Sequence, residues 1–174
     1  MKAIVCMNKC GGIGKNGKIP WHSKEDMKYF RKLTIGNGNN AVVMGHRTFV
    51  SLNGIPLPKR RNYVLTRDPL GAKQISNSDV VYESNIDNIK HLDKIFDEVF
   101  VIGGEVIYKL FRDQYTEVYI TQIDDYSSCD TYFPFSDFFD YEETFIETKI
   151  ENGKELSFFK FTKPCENVDN KQKK

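Results

Sequence analysis

Val99-Phe100-Val101-Ile102-Gly103-Gly104-Glu105-Val106-Ile107-Tyr108 sets out the pattern on which this chain is built. Val99 to Ile102 is a continuous apolar run, as a strand buried on both faces requires. Two glycines stop it, and Glu105 to Phe111 continues as a helical run. The same order appears upstream. Ile4-Val5-Cys6-Met7 leads through a glycine-rich loop to a helix that Ser23 is placed to cap, with Glu25 and Asp26 where negative charge suits the helix dipole. Met27, Phe30 and Leu33-Thr34 are expected to share a face of that helix. Ala41-Val42-Val43-Met44 runs into a short helical pattern ending at Leu52, and Asn62-Tyr63-Val64-Leu65-Thr66 ends at Arg67-Asp68-Pro69. Val80-Val81-Tyr82 precedes an amphipathic helix expected over Ile86 to Ile95, and Val118-Tyr119-Ile120-Thr121 reads as another strand. The end of the chain differs: Thr144 to Ile150 and Leu156 to Thr162 flank Asn152-Gly153, a strong hairpin signal. Alternating strands and helices closed by a hairpin predict an α/β domain with a mixed sheet over residues 1–164, followed by a polar tail over 165–174.

The 174 residues suit a single domain, and 40% hydrophobic with 28% charged residues is an ordinary globular composition. A net charge of +1 excludes a protein that grips nucleic acid mainly by neutralising phosphates. Thirteen Phe, nine Tyr and one Trp can fill a core and wall a pocket for a flat ligand. No apolar run reaches the roughly 18 residues of a membrane span, and Met1 to Asn8 is too short a stretch for a signal peptide. Cys6, Cys10, Cys129 and Cys165, with His22, His46 and His91, lack zinc spacing, so no metal is expected. Free thiols in a reducing cytoplasm are the default, although spacing alone leaves a bridge between distant cysteines open.

Gly12-x-Gly14-x-x-Gly17 imitates a dinucleotide-binding fingerprint, and Gly12 to Lys18 nearly spells a P-loop. Both fail on context: Pro20 disfavours the helix that the first needs, and Ile19 stands where the second needs Ser or Thr. A flexible loop beside a pocket suits these glycines better. Gly45-His46-Arg47-Thr48, Thr66-Arg67 and Gly103-Gly104 each follow a strand. Singly they are ordinary turn chemistry; together, at the carboxyl edge of one sheet, they suit a phosphorylated ligand. Asp26 is either a partly desolvated carboxylate that manages a proton or a first-turn residue answering the dipole, as Glu25 would. Lys59-Arg60-Arg61 is either a solvated run or the source of one arginine that forks onto a carboxylate.

Six segments together resemble the dihydrofolate reductase family: Gly12-Ile13-Gly14; Ile19-Pro20-Trp21 with Asp26; Val43 to Thr48; Pro56 to Asn62; Val101 to Tyr108; and Asp130-Thr131-Tyr132-Phe133-Pro134. The resemblance runs from Ile4 to about Phe161, with the segments in the family's order. The resemblance implies an eight-stranded, mostly parallel sheet flanked by helices, with an antiparallel C-terminal edge. It implies reduction of 7,8-dihydrofolate with hydride from NADPH, supplying one-carbon metabolism, in a cytoplasmic monomer with no nucleic-acid or membrane partner. Asp26 would hold the pterin edge, Thr121 would support that carboxylate, and Trp21 would hold a water. Ile4, Val5, Cys6, Met27, Phe30, Leu52, Leu57 and Ile102 would line the substrate pocket, and Arg60 would bind the glutamate carboxylate. Ile13, Gly14, Gly17, Lys18 and Ile19 would close over the nicotinamide, with Cys6 and Ile102 beneath it. Gly45, His46, Arg47, Thr48, Leu65, Thr66 and Arg67 would hold its phosphates with Gly103, Gly104, Glu105, Val106, Ile107 and Tyr108. Phe49, Lys59 and Glu105 depart from the family's usual Trp, Gly, and Gly or Ser. Glu105 is expected to be mildly unfavourable beside phosphate, and His46 and Arg47 compete for the 2′-phosphate. A pyrimidine reductase on the same fold, a silent NADPH-binding protein and a P-loop kinase are the competing readings. The Trp21-to-Asp26 spacing and Arg60 favour folate.

Overall fold

A computed structural model describes residues 1–73 and 80–164. The expected tail, 165–174, lies outside them. Eight strands form one sheet: β1 (Lys2–Asn8), β3 (Ala41–Gly45), β4 (Arg61–Leu65), β5 (Val80–Glu83), β6 (Val99–Gly103), β7 (Glu117–Ile123), β9 (Glu142–Glu151) and β10 (Lys154–Thr162). Their spatial order is β5-β4-β3-β6-β1-β7-β10-β9. All neighbours from β5 to β7 are parallel, while β10 is antiparallel to both β7 and β9. Two short strands, β2 (Gly12–Gly14) and β8 (Thr131–Tyr132), pair separately. The helices are α1 (Lys24–Ile35), α2 (His46–Ser51), α3 (Pro69–Lys73), α4 (Ile86–Lys90) and α5 (Glu105–Leu110).

Both faces of the central strands are covered, which is why they read as unbroken apolar runs. Along β3, Ala41 and Val43 face a core with Val5, Tyr108, Phe111 and Tyr115; Val42 and Met44 face another with Ile4, Phe49, Val64 and Phe100. Each fully buried large side chain contributes roughly 1.5–3 kcal/mol.

Two sequence expectations change, and a third gains detail. The glycine-rich loop contains β2, with the Asn16 amide donating to Asp130 Oδ2 (2.7 Å) and the Asp130 amide to the Gly14 carbonyl (3.0 Å). The helix expected over Ile86 to Ile95 stops at Lys90 and resumes as a 3₁₀ turn over Leu92–Lys94. On α1 the inward stripe is Asp26, Tyr29, Phe30, Leu33 and Thr34, at the spacing of one helical face; Met27 falls beside it and is 56% exposed.

Candidate active site

β1 and β6 hold hands only at their amino ends. Their pairing runs through Lys2 with Phe100 and Ala3 with Val101, whereas β1 stays paired to β7 as far as Asn8. Beyond Ala3 the two strands separate at their carboxyl ends. The connections also diverge here, from β1 toward β3 and from β6 across β1 to β7. Ligands of open α/β sheets lie at such a switch point. Parting the strands leaves the Ile4 carbonyl short of a sheet partner, and the buried Tyr108 hydroxyl donates to it (2.8 Å).

Asp26 reaches this crevice because Ser23 starts α1 one residue before Lys24, with its Oγ accepting from the Asp26 amide (3.1 Å). The half-buried carboxyl lies beside Thr121 of β7 and Cys6 of β1. Burial pushes its pKa above the ordinary carboxylate range; hydrogen bonds from Thr121 and Cys6 oppose this, and the negative Glu151 adds to it. Burial and Asp26 both push the Cys6 thiol well up, while Trp21 Nε1 donates to its Sγ (3.2 Å). Trp21, the residue expected to hold a water, therefore lies beside Cys6 at the edge of the crevice.

Ile4, Phe30, Leu52, Leu57 and Ile102 gather on one side of the crevice. Val5 does not join them. It alternates to the opposite face of β1 and packs among Ala3, Met7 and Tyr108, so only its backbone borders the crevice. Arg60 is half-buried; its guanidinium donates to Thr34 Oγ1 (2.7 Å) and lies 5.8 Å from the Phe30 ring centre. Burial and Arg31 lower its pKa to about 10, leaving it charged at neutral pH. Asn62 fixes this loop, donating to the Leu57 and Arg60 carbonyls and accepting from the Leu57 amide, each at 2.9 Å.

The strand ends singled out in the sequence are brought together: β3 pairs with β4 and with β6, so Gly45, Leu65 and Gly103 end on one edge. A Cβ on Gly45 would meet Ile107 Cγ1 at 2.9 Å, and the Gly103-Gly104 peptide is cis. At Gly104 a Cβ would sit in ordinary contact with Thr48 Oγ1, at 3.5 Å. His46, Arg47 and Arg67 are exposed on this rim, and Thr48 and Thr66 are partly exposed. Glycine cradle, hydroxyls and cations suit a phosphorylated ligand. Ile19 and Val106, 62% and 74% exposed, turn outward, as do Gly17 and Lys18. Glu105 is countered rather than left beside the cradle: Lys109 Nζ (2.6 Å) and the Tyr132 amide (3.0 Å) donate to it and hold its pKa low.

Sequence reasoning missed two supports. Asn8 Oδ1 accepts from the Cys10 and Gly12 amides (3.0 and 2.8 Å), shaping the turn into β2; an Asn closing a strand before glycines was the available signal. Glu151 accepts from the Ser23 hydroxyl (2.6 Å), a contact across 128 residues with no local signal.

A protein-family model described as "Dihydrofolate reductase" matches residues 1–163. The dihydrofolate reductase of Staphylococcus haemolyticus is 35% identical over 151 residues, covering 87% of this chain and 86% of that protein. That of Haemophilus influenzae is 34% identical over 144 residues, covering 83% and 84%. Among solved structures, a dihydrofolate reductase from Enterococcus faecalis complexed with NADP(H) and RAB-propyl superposes with a TM-score of 0.77 at 27% identity, covering 92% of this chain and 94% of that one. Sheet order, crevice and these matches agree: the chain belongs to the dihydrofolate reductase family.

Proposed function

We infer that this chain reduces 7,8-dihydrofolate to tetrahydrofolate with hydride from NADPH, and that Asp26 is the residue that holds the pterin and manages its proton. The observation that carries this reading is a single desolvated carboxyl, supported by Thr121, at the point where β1 and β6 part. The cradle of Gly45, Gly103 and Gly104, with cations on its rim, fits the cofactor's phosphates. Bound there, NADPH supplies the hydride.

The chain's own residues do the rest. Addition to a C=N bond is easy only when the nitrogen carries a proton, so the pocket needs one proton-managing group among apolar walls. Asp26 supplies it, and Ile4, Phe30, Leu52, Leu57 and Ile102 exclude water around the flat ring. Arg60, held by Thr34 and stacked near Phe30, presents its remaining N–H groups to a substrate carboxylate. Arg67 adds its charge to that of the His46-Arg47 pair at the 2′-phosphate that distinguishes NADPH from NADH. A monomer in the cytoplasm completes the proposal: one chain carries all these groups, and among the described residues Cys6, Cys10 and Cys129 form no disulfide, which suits a reducing compartment. NADPH oxidation followed with and without dihydrofolate tests the reading. Consumption that requires dihydrofolate is expected; equal rates in both arms would overturn it.

A further inference from the structure

The Asn152-Gly153 turn does more than close the C-terminal hairpin. Both residues have positive φ (51° and 75°), the conformation of the tightest hairpin turns, and Lys154 pairs with Glu151 across it. This register is coupled to a face: slipping by one residue would turn Glu151 to the other side of the sheet. In the observed register its carboxylate lies against the amino end of α1. Oε2 accepts from the Ser23 hydroxyl (2.6 Å) and the Glu25 amide (3.3 Å), and Oε1 accepts from the Lys24 amide (2.9 Å). The Ser23 Oγ that donates to Glu151 also accepts from the Asp26 amide, so a two-bond chain runs from the catalytic residue to the hairpin. A hydroxyl that donates to a carboxylate is a better acceptor for its other partner.

The two lysines nearest Glu151 in the hairpin sequence are engaged elsewhere: Lys149 pairs with Glu25 (2.9 Å), and Lys154 with Asp125. Among the described residues no Lys or Arg forms an ion pair with Glu151; His22 alone adds a nearby cationic influence. Its charge is therefore answered by the helix end, and the helix end by its charge.

We propose that Glu151 is a positioning residue for the reductase reaction: it fixes Ser23 and the first turn of α1, and its negative charge sets how tightly Asp26 and the substrate nitrogen beside it hold a proton. The inference rests on the reading of Asp26 given above. Its physical sign is unambiguous. Exposed helix amides at the start of α1 would stabilise an ionised Asp26; Glu151 offsets that field and repels the Asp26 carboxylate directly. Both effects favour the protonated site. The other groups facing Asp26 are Cys6 from β1, Thr121 from β7, Tyr108 from α5 and, on its own helix, Glu25 with its partner Lys149.

Glu151→Gln keeps an acceptor and removes the charge. The first readout needs no activity: the ¹³Cγ titration of Asp26 in ligand-free protein. Its midpoint is expected to fall by roughly 0.3–1 pH unit in Glu151→Gln, and the difference to shrink in about 1 M salt. The alkaline limb of single-turnover hydride transfer is expected to move the same way, lowering the rate there by roughly 2–10-fold, with NADPH affinity unchanged and activity rescued in Glu151→Asp. An Asp26 titration that overlays the wild type, or moves up, would overturn the proposal, even if thermal stability falls, because Glu151 would then be a structural cap alone. If the wild type consumed no NADPH with dihydrofolate, the functional reading would fail while the carboxyl titration still decided the role of Glu151.

Discussion

The two ends of β1 treat charge in opposite ways. At the amino end, Lys2 lies between two carboxylates, pairing with Glu98 and with Glu117 (2.8 Å), and Lys160 adds a second cation beside Glu117 (3.6 Å). These hydrogen bonds raise the Lys2 pKa despite the opposing effect of burial, and hold Glu117 low against the same effect. At the carboxyl end, Asp26 faces a thiol, a hydroxyl and another carboxylate, with no cation among the causes that shift it. One end stabilises the fold through compensated charge. The other keeps a carboxyl that the fold would rather leave neutral, and strain of that kind is expected where chemistry is done.

Breaking the strained end gives the largest expected effect. Asp26→Asn is expected to lose roughly 10²–10⁴ in the rate of dihydrofolate reduction while keeping NADPH binding. The variant should recover part of its rate as pH falls, when solvent protonates the substrate directly. Its stability should move the other way. The Asp26 pKa is raised in the folded protein, so the wild type loses stability as pH climbs past the ordinary carboxylate range. Asp26→Asn should escape that loss and melt higher at neutral pH. Single-turnover rates between about pH 5 and 9 and melting curves check the two halves; a variant that is fast, or that melts lower at pH 7, removes Asp26 from this role.

The contrast also explains what the sequence made legible. All eight strands of the main sheet were readable, the central ones because burial on both faces demands unbroken apolar runs such as Ala41 to Met44, and β9 and β10 because they flank the Asn152-Gly153 turn. The reading missed β2 and β8, three and two residues long, because glycine and polar residues carry no periodicity at that length. It also missed α3 (Pro69–Lys73), too short for a periodic face. Asp26 was legible as a candidate, and Phe30 on its helix does face inward, but Met27, expected on the same face, points outward, and Tyr29, one turn from Asp26, packs 4.8 Å from Phe158. Glu151 was illegible in kind. On a ten-residue edge strand of mostly exposed residues it reads as one more solvated charge, and only the hairpin register brings it to α1.

Smaller effects sharpen the picture of the carboxyl edge. Arg67 lies exposed just past β4, and charge-assisted hydrogen bonds to a 2′-phosphate are each worth roughly 1.5–3 kcal/mol. Arg67→Ala should lower the preference for NADPH over NADH by about 10- to 100-fold. Unchanged relative kcat/KM for the two cofactors would exclude it. Next in size, Arg60→Lys should weaken dihydrofolate binding about tenfold, because an ammonium cannot both hold Thr34 and fork onto a carboxylate. A pteridine lacking glutamate should bind as before; equal losses for both ligands would make Arg60 purely structural.

The smallest functional effect belongs to the compensated end. Lys2→Met leaves Glu98 and Glu117 facing each other without their shared cation, which should cost about 1 kcal/mol at neutral pH, as partly exposed pairs do. The pH dependence identifies the cause. The Glu117 pKa is depressed in the folded protein, so its contribution is present above the ordinary carboxylate range and is lost as pH falls through that depressed value. The stability gap between wild type and Lys2→Met should therefore be full near pH 7 and narrow as Glu117 protonates. Hydride transfer should not change, because Lys2 lies four residues from Cys6 along β1, at the far end from the crevice. Urea melts across this pH range, paired with single-turnover rates, separate the two ends. A gap that persists at acid pH would make Lys2 a packing residue over the Phe100 and Tyr119 rings, each 5.9 Å away, and a slowed hydride step would mean that the two ends of β1 are not independent.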